Sequence, residues 1–465
     1  MRSLFGALLF ITPMPVGAMD TFPGEEKFAN LMGQDATSGG IGLGLTNFGD
    51  GDYFVQVSPR VDFSLGGVGI GLQIPLNLRI WDADPKASGD HFGLIREEDW
   101  DEPSEFLKAI RKVRLGRKTS KLYISGGELS AEIGHGTILG NYINNVDIET
   151  FRAGAHVAMN VRRGGFEVLV SDIGTVLGDN PHSQLVGFRG YIRPSAFFYD
   201  KKHLYDMFAI GLTAVMDLNA PLQLQMENGV AVVQDGRFVP QTIGTARVLG
   251  VDVEARVLQN PLLDLMPYID VNSIKDVGGG VHVGVKALAK LPIGLDLKLP
   301  VRLEYRWFPG SSYAPQYFST FYELERYQMG AAAKPKLQLF LDKEGGLGAN
   351  GIYGDLAFDF IGLAQLGLIY EDYQGAEPNV SGFLKVPALD AFKFKAYYQR
   401  RGVEGLDDVF TLDEKSLAAV EGRYQIIADI YAVARWSRRW QLDDATGSYV
   451  AEDETLFNVE YSFDF

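Results

Sequence analysis

Residues 455–465 constrain the fold of this chain more than any other stretch. Phe457, Val459, Tyr461, Phe463 and Phe465 fall on one face of an extended chain, and Asn458, Glu460, Ser462 and Asp464 on the other. Period 2 kept over a whole segment marks a strand, because successive side chains point to opposite faces of a sheet. The pattern recurs upstream. Leu297, Leu299, Val301, Leu303, Tyr305 and Trp307 alternate with Asp296, Lys298, Pro300, Arg302, Glu304 and Arg306. Ile70, Leu72, Ile74, Leu76, Leu78 and Ile80 alternate with Gly71, Gln73, Pro75, Asn77 and Arg79. Ala153, Ala155, Val157 and Met159 oppose Arg152, His156, Asn160 and Arg162, and Phe392, Phe394 and Ala396 oppose Lys393, Lys395 and Tyr397. These strands run about 10 to 13 residues, the length that a tilted membrane strand needs.

A soluble sandwich rarely places such a strand at its extreme C-terminus with an aromatic last residue. Here the sequence resembles the outer-membrane β-barrel class of Gram-negative bacteria, whose last strand ends in Phe with apolar residues at alternate positions before it. The resemblance covers about ten residues and is porin-like without pointing to a particular family. It implies residence in the bacterial outer membrane and contact with its lipid and lipopolysaccharide. It also implies assembly by the barrel-assembly machinery acting through the C-terminal strand.

Composition agrees with a barrel. Fifty-four Gly and 12% aromatics accompany a mean hydropathy near zero. Lipid-facing residues at every second position keep the average low, whereas a helical membrane protein needs apolar runs of about 20 residues. The formal net charge of -16 disfavours nucleic acid as a partner. The absence of Cys removes disulfides, thiolate metal sites and Cys nucleophiles together.

The expected architecture is all-β: a single transmembrane antiparallel up-and-down barrel of about 18 strands (16–22), with short periplasmic turns and longer extracellular loops. Residues 1–18 read as a secretory signal, with Arg2 as the n-region, residues 4–11 as the apolar h-region and cleavage after Ala18. Residues 19–39 form an N-terminal periplasmic or lumen segment, and 40–465 the barrel. Pro75 and Pro300 each cost a ladder hydrogen bond and are expected at bulges or kinks. With 41–47 as the first strand and a periplasmic N-terminus, residues 81–120 become a long acidic extracellular loop. After Pro103, Phe106, Leu107 and Ile110 suggest a short amphipathic helix in it. Three roles stay open for this loop: a solvated surface, a segment folded across the mouth, or a site for divalent cations or lipopolysaccharide.

The polar faces supply the candidate lumen-lining residues: Arg60, Asp62, Arg79, Arg152, His156, Arg162, Glu167, Arg189, Arg193, Asp252, Glu254, Lys298, Arg302, Glu304, Arg306, Lys393, Lys395 and Arg435. Such charges set a transverse field that selects ions, or form a cross-strand lattice that stiffens the wall. Residues 132–145, with glycines around His135 and several Asn, break the alternation and read as a turn or an inward, plug-like segment. The six histidines lack zincin spacing, and neither G-x-S-x-G nor a phosphate-cradling loop is present. No catalytic residue, cofactor or metal is expected. The leading expectation is passage of small hydrophilic solutes through a polar lumen. The alternatives are a plugged transporter of hydrophobic compounds with residues 20–39 as a hatch, or a non-conducting structural or adhesion barrel.

Overall fold

The computed structural model describes residues 38–464, apart from 48–52, 66–67, 75, 82–94, 96–99, 101–104, 117, 119, 147–150, 177–183, 235–236, 293–295, 311–312, 328–333, 361–362, 390, 414, 428–429 and 444–445. The signal sequence, most of the N-terminal segment, Pro75 and Phe465 therefore lie outside the described residues, as do the side chains of Arg60 and Asp62.

One antiparallel sheet of 22 segments dominates the fold. Ser38–Asn47 pairs on one side with Tyr53–Leu65 and on the other with the last strand, Ser448–Asp464. Sequence-adjacent strands pair in turn between these two. Among the described residues no helix is long and apolar enough to cross a membrane.

The alternation read from sequence sorts the side chains by face. In Asp296–Trp307, Leu303, Tyr305 and Trp307 are 54%, 52% and 50% exposed, while Arg302, Glu304 and Arg306 are 5%, 4% and 0% exposed. In Leu263–Ile274, Ile269 and Val271 point out while Asp270 and Asn272 are buried. A soluble protein has the opposite polarity. An apolar outside around a charged inside matches a cylinder whose solvent is lipid, which is the outer-membrane β-barrel arrangement.

Pro75 lies outside the described residues, and Pro300 interrupts a ladder. Val68–Gln73 and Leu76–Trp81 pair in one register with the same strand, Tyr53–Leu65, and Ile74 N donates to Pro59 O at 3.0 Å between them, so they belong to one strand. In Asp296–Trp307 the pairing with Asn350–Phe360 lapses at Leu299 and Pro300, where an N–H donor is missing.

Two sequence boundaries are corrected. The first strand begins at Ser38, inside the expected N-terminal segment. The expected loop over 81–120 ends at Ala109, because Ile110–Leu115 is a strand paired with Val68–Gln73. Among the described residues a 3-10 turn, Glu105–Ala109, forms where a helix was expected. Val113 and Leu115 alternate with Lys112 and Arg114, and that period captures Ile110 for the sheet.

Candidate functional site

Two long connections at the same end of the sheet fold inward. Residues 128–153 join Leu122–Gly127 to Gly154–Val161, and residues 308–349 join Asp296–Trp307 to Asn350–Phe360. The first carries a small hairpin, Ser130–Ala131 with Tyr142–Ile143, and the second two short helices, Tyr322–Glu325 and Lys336–Leu341. Residues 132–145 thus form part of the inward, plug-like body that their broken alternation suggested.

The segments hold each other through the backbone. Thr137 O accepts from Gln316 N at 2.8 Å, Ile138 O from Phe318 N at 3.2 Å, and Phe318 O from Gly140 N at 3.2 Å. The base of the first segment is clasped by amides. Asn144 Oδ1 accepts from Leu129 N at 2.8 Å, and Asn145 Oδ1 from Arg152 N at 2.7 Å. Tyr142 donates to Glu323 across the two segments, and burial, then the nearby carboxylate, pushes its phenol well above the usual range.

The combined body reaches both sides of the barrel. On one side Ile133, Ile138, Tyr313 and Phe340 pack with Leu169, Leu185, Val215 and Val248 of the wall. On the other, Ile143, Val146, Phe321 and Leu324 pack with Phe383, Tyr397, Leu417 and Trp440. Polar anchors reinforce the contact. Where the ladder bulges between Asp217 and Ala220, Asp217 Oδ2 accepts from Tyr322 Oη at 2.7 Å and Arg326 Nε at 3.0 Å. Burial would raise the Glu325 carboxyl, but Arg401 and Lys336 hold it at about 2.

Beside the first segment the wall carries a dense charge network. Arg189 binds Asp252 through Nη2–Oδ1 at 2.6 Å and Nε–Oδ2 at 3.1 Å. Glu304 takes Arg302 Nε at 2.7 Å on one oxygen and Arg306 Nε at 2.6 Å on the other. Both guanidiniums lie over the Tyr353 ring, at 4.6 and 4.2 Å. Glu167 pairs with Lys118 at 3.2 Å and lies 3.7 Å from His156.

His135 enters this network from the tip of the first segment. Its Nδ1 lies 2.8 Å from Asp270 Oδ1 and its Nε2 2.8 Å from Glu254 Oε2. Its ring stacks on Tyr268 at 3.9 Å. Gly134 and Gly136 flank it at φ +60° and +72°, a left-handed turn that side chains resist. Burial would lower the His135 pKa, but Asp270 and the hydrogen bonds to both carboxylates raise it overall. Asp270 Oδ2 accepts from Thr137 Oγ1 at 2.7 Å, and Thr137 Oγ1 from Asn272 Nδ2 at 3.0 Å. His135, Asp252 and Asp270 bring one ligand atom each within 4.8 Å of one another. In this structure the carboxylate oxygens are engaged by Arg189, Thr137 and the imidazole, and the imidazole nitrogens by Asp270 and Glu254.

Glu167, Arg189, Asp252, Glu254, Arg302, Glu304, Arg306 and His156 thus gather on the inner face around the inward body. Other candidates fall elsewhere. Arg152 belongs to the clasp, donating from Nη1 to Asn144 O at 2.9 Å. Arg193 pairs with Asp206 at 2.7 Å beyond the end of Leu185–Ile192. Arg79 lies over the Phe54 ring, Arg435 pairs with Glu421 at 3.0 Å, and Lys298 and Lys395 are half-buried. Two are corrected. Arg162 sits in the turn after Val161, exposed and paired with Asp200, because the strand ends one residue before it. Lys393 shares the parity of buried Tyr397 but is exposed at its strand's start, over the Tyr431 ring. Sequence reading passed over Asp217, Tyr268, Asp270 and Arg326. The first three had the signal of inner-face alternation.

No family model matches the chain, and no curated protein matches it. Solved structures similar to it include Pseudomonas aeruginosa OccK11 (OpdR), at 11% identity and TM-score 0.31, covering 93% of this chain and 96% of that one. Acinetobacter baumannii OccAB3 aligns at 12% identity and TM-score 0.32, covering 93% and 100%. The ferric-catecholate import receptor Fiu from E. coli K12 aligns at 8% identity and TM-score 0.36, covering 93% and 82%.

Proposed function

We propose that this outer-membrane β-barrel is a channel for small hydrophilic solutes whose polar passage is narrowed from within by residues 128–153 and 308–349. The observation that carries the reading is the pairing of a charged inner face with an inward body that reaches opposite walls. Pairing of the first strand with the last supports a closed cylinder. Merging the interrupted segments gives about 20 spanning strands, a size at which an aqueous lumen is available. The short turns, such as Arg162–Arg163 between Val161 and Gly164, then face the periplasm, and both inward segments enter from the outside.

The mechanism is exclusion and selection. Loop segments folded into the lumen set the size limit, and the Arg302–Glu304–Arg306 ladder beside them sets the local field. Apolar packing across the lumen favours a second reading, a plugged transporter of hydrophobic compounds.

The test is single-channel conductance in planar bilayers. The channel reading expects steady steps whose ion selectivity shifts in Arg302→Glu. Silence from a folded, heat-modifiable sample that instead binds an apolar dye would move the assignment to the second reading.

A further inference from the structure

The tip of the first inward segment meets the wall through a histidine with a carboxylate on each ring nitrogen. Nδ1 faces Asp270 and Nε2 faces Glu254, both at 2.8 Å. Carboxylates only accept hydrogen bonds, so both contacts are satisfied together only when both ring nitrogens carry protons. The neutral ring would turn a lone pair toward one carboxylate at that distance.

Among the described residues, His135 is the cationic group within 4.0 Å of Glu254 and of Asp270. Arg189 is committed to Asp252, across the Asp252 side of the site. Glu132 of the same segment faces Arg302 at 3.8 Å, and buried Lys286 lies over the Tyr268 ring at 6.0 Å, close enough to act on both His135 and Glu254. Arg189 and Lys286 act on Glu254 and His282 on Asp270 at longer range, but His135 is the cation that each carboxylate contacts directly.

The tip is built to respond locally. Two left-handed glycines flank His135, while the Asn144–Asn145–Arg152 clasp holds the base of the segment and Thr137, Ile138 and Gly140 are bonded to Gln316 and Phe318, so the local freedom is confined to the turn around His135.

We propose that His135 is a proton-operated latch, which pins the turn at residues 133–136 to the wall when doubly protonated and releases it when it loses a proton. As a control on solute passage, this rests on the channel reading above; as a movement of the tip, it does not. The imidazole titrates higher when latched than when released, so the latch holds at low pH. It is lost as pH rises through the raised latched value, above the ordinary histidine range.

The chain has no Cys, so a single thiol reports the tip. Ile133→Cys places it on the turn, at a side chain 2% exposed, and Leu406→Cys provides a reference that is 91% exposed. Maleimide labelling of each full-length variant in lipid vesicles is measured from pH 5.5 to 9.5, and the ratio of rates cancels the reagent's own pH dependence. The ratio is expected to rise roughly tenfold or more with pH, the factor for losing a hydrogen bond to a charged group. In a His135→Gln background it is expected to be high and flat. A flat ratio in the His135 protein overturns the latch. Conductance recorded over the same range separates the two readings. Labelling that rises without conductance keeps the latch and sinks the channel, whereas steady conductance with flat labelling does the reverse.

Discussion

Arg189 reaches Asp252 across an entire intervening strand. Arg189 lies on Leu185–Ile192 and Asp252 on Pro240–Ala255, with Phe208–Leu224 between them. The path is open because the residue between is glycine. A Cβ on Gly211 would lie 2.2 Å from Asp252 Oδ2. Gly284 does the same for Tyr268 and Glu304, where a Cβ would lie 2.4 Å from the Tyr268 ring. Ion pairs that skip a strand tie three strands with one contact.

Gly211→Val should therefore expel the Asp252 carboxylate and leave Arg189 without its closest partner. Breaking one side of a buried pair costs about 3–5 kcal/mol. Urea unfolding in lipid vesicles should show that loss. Gly354→Ala, whose Cβ would meet only Leu303 at 3.6 Å, should stay within about 0.5 kcal/mol of the parent.

Asp217→Asn should loosen the second inward segment while leaving the sheet assembled. Arg326 is buried, and the substitution removes the carboxylate charge it faces at 3.0 Å. The measurement is limited proteolysis: cleavage within residues 308–349 should quicken while the sample remains heat-modifiable. Unchanged cleavage would show that the apolar packing alone holds the segment.

Leu303→Arg tests which face meets lipid. The side chain is exposed on the apolar face of a spanning strand. An arginine on the lipid face costs about 2–4 kcal/mol near the bilayer midplane and falls toward zero at the interfaces. A loss in that range by urea titration in vesicles supports the membrane-embedded outside. No loss would mean that this face meets water.

The sheet was legible because its two faces meet different solvents, so alternation survives in strands such as Asp296–Trp307. Its ends were less legible, since period 2 does not say where pairing stops; Arg162 and Lys393 share inner-face parity but fall at strand ends. The inward segments were only partly legible. Residues 132–145 declared themselves by breaking the pattern, but residues 308–349 carry no period that separates them from a surface loop. Their signal lies on the wall instead. A Cβ on Gly187 would lie 2.3 Å from Ile133, one on Gly250 2.8 Å from Ile138, and one on Gly280 2.7 Å from Tyr313. Glycines on inner faces make room for something inside, a meaning that a count of glycines does not convey. The His135 contacts join residues 119 and 135 positions apart, a closeness that only barrel curvature and register create.

The most direct measurement is single-channel conductance of the purified protein beside a variant in which residues 133–140 are replaced by a short Gly-Ser link. If the first inward segment narrows a polar passage, the parent shows small or infrequent steps and the variant larger, longer ones, with both samples heat-modifiable. Equal conductance in the two, or silence in both, would contradict a passage controlled from within.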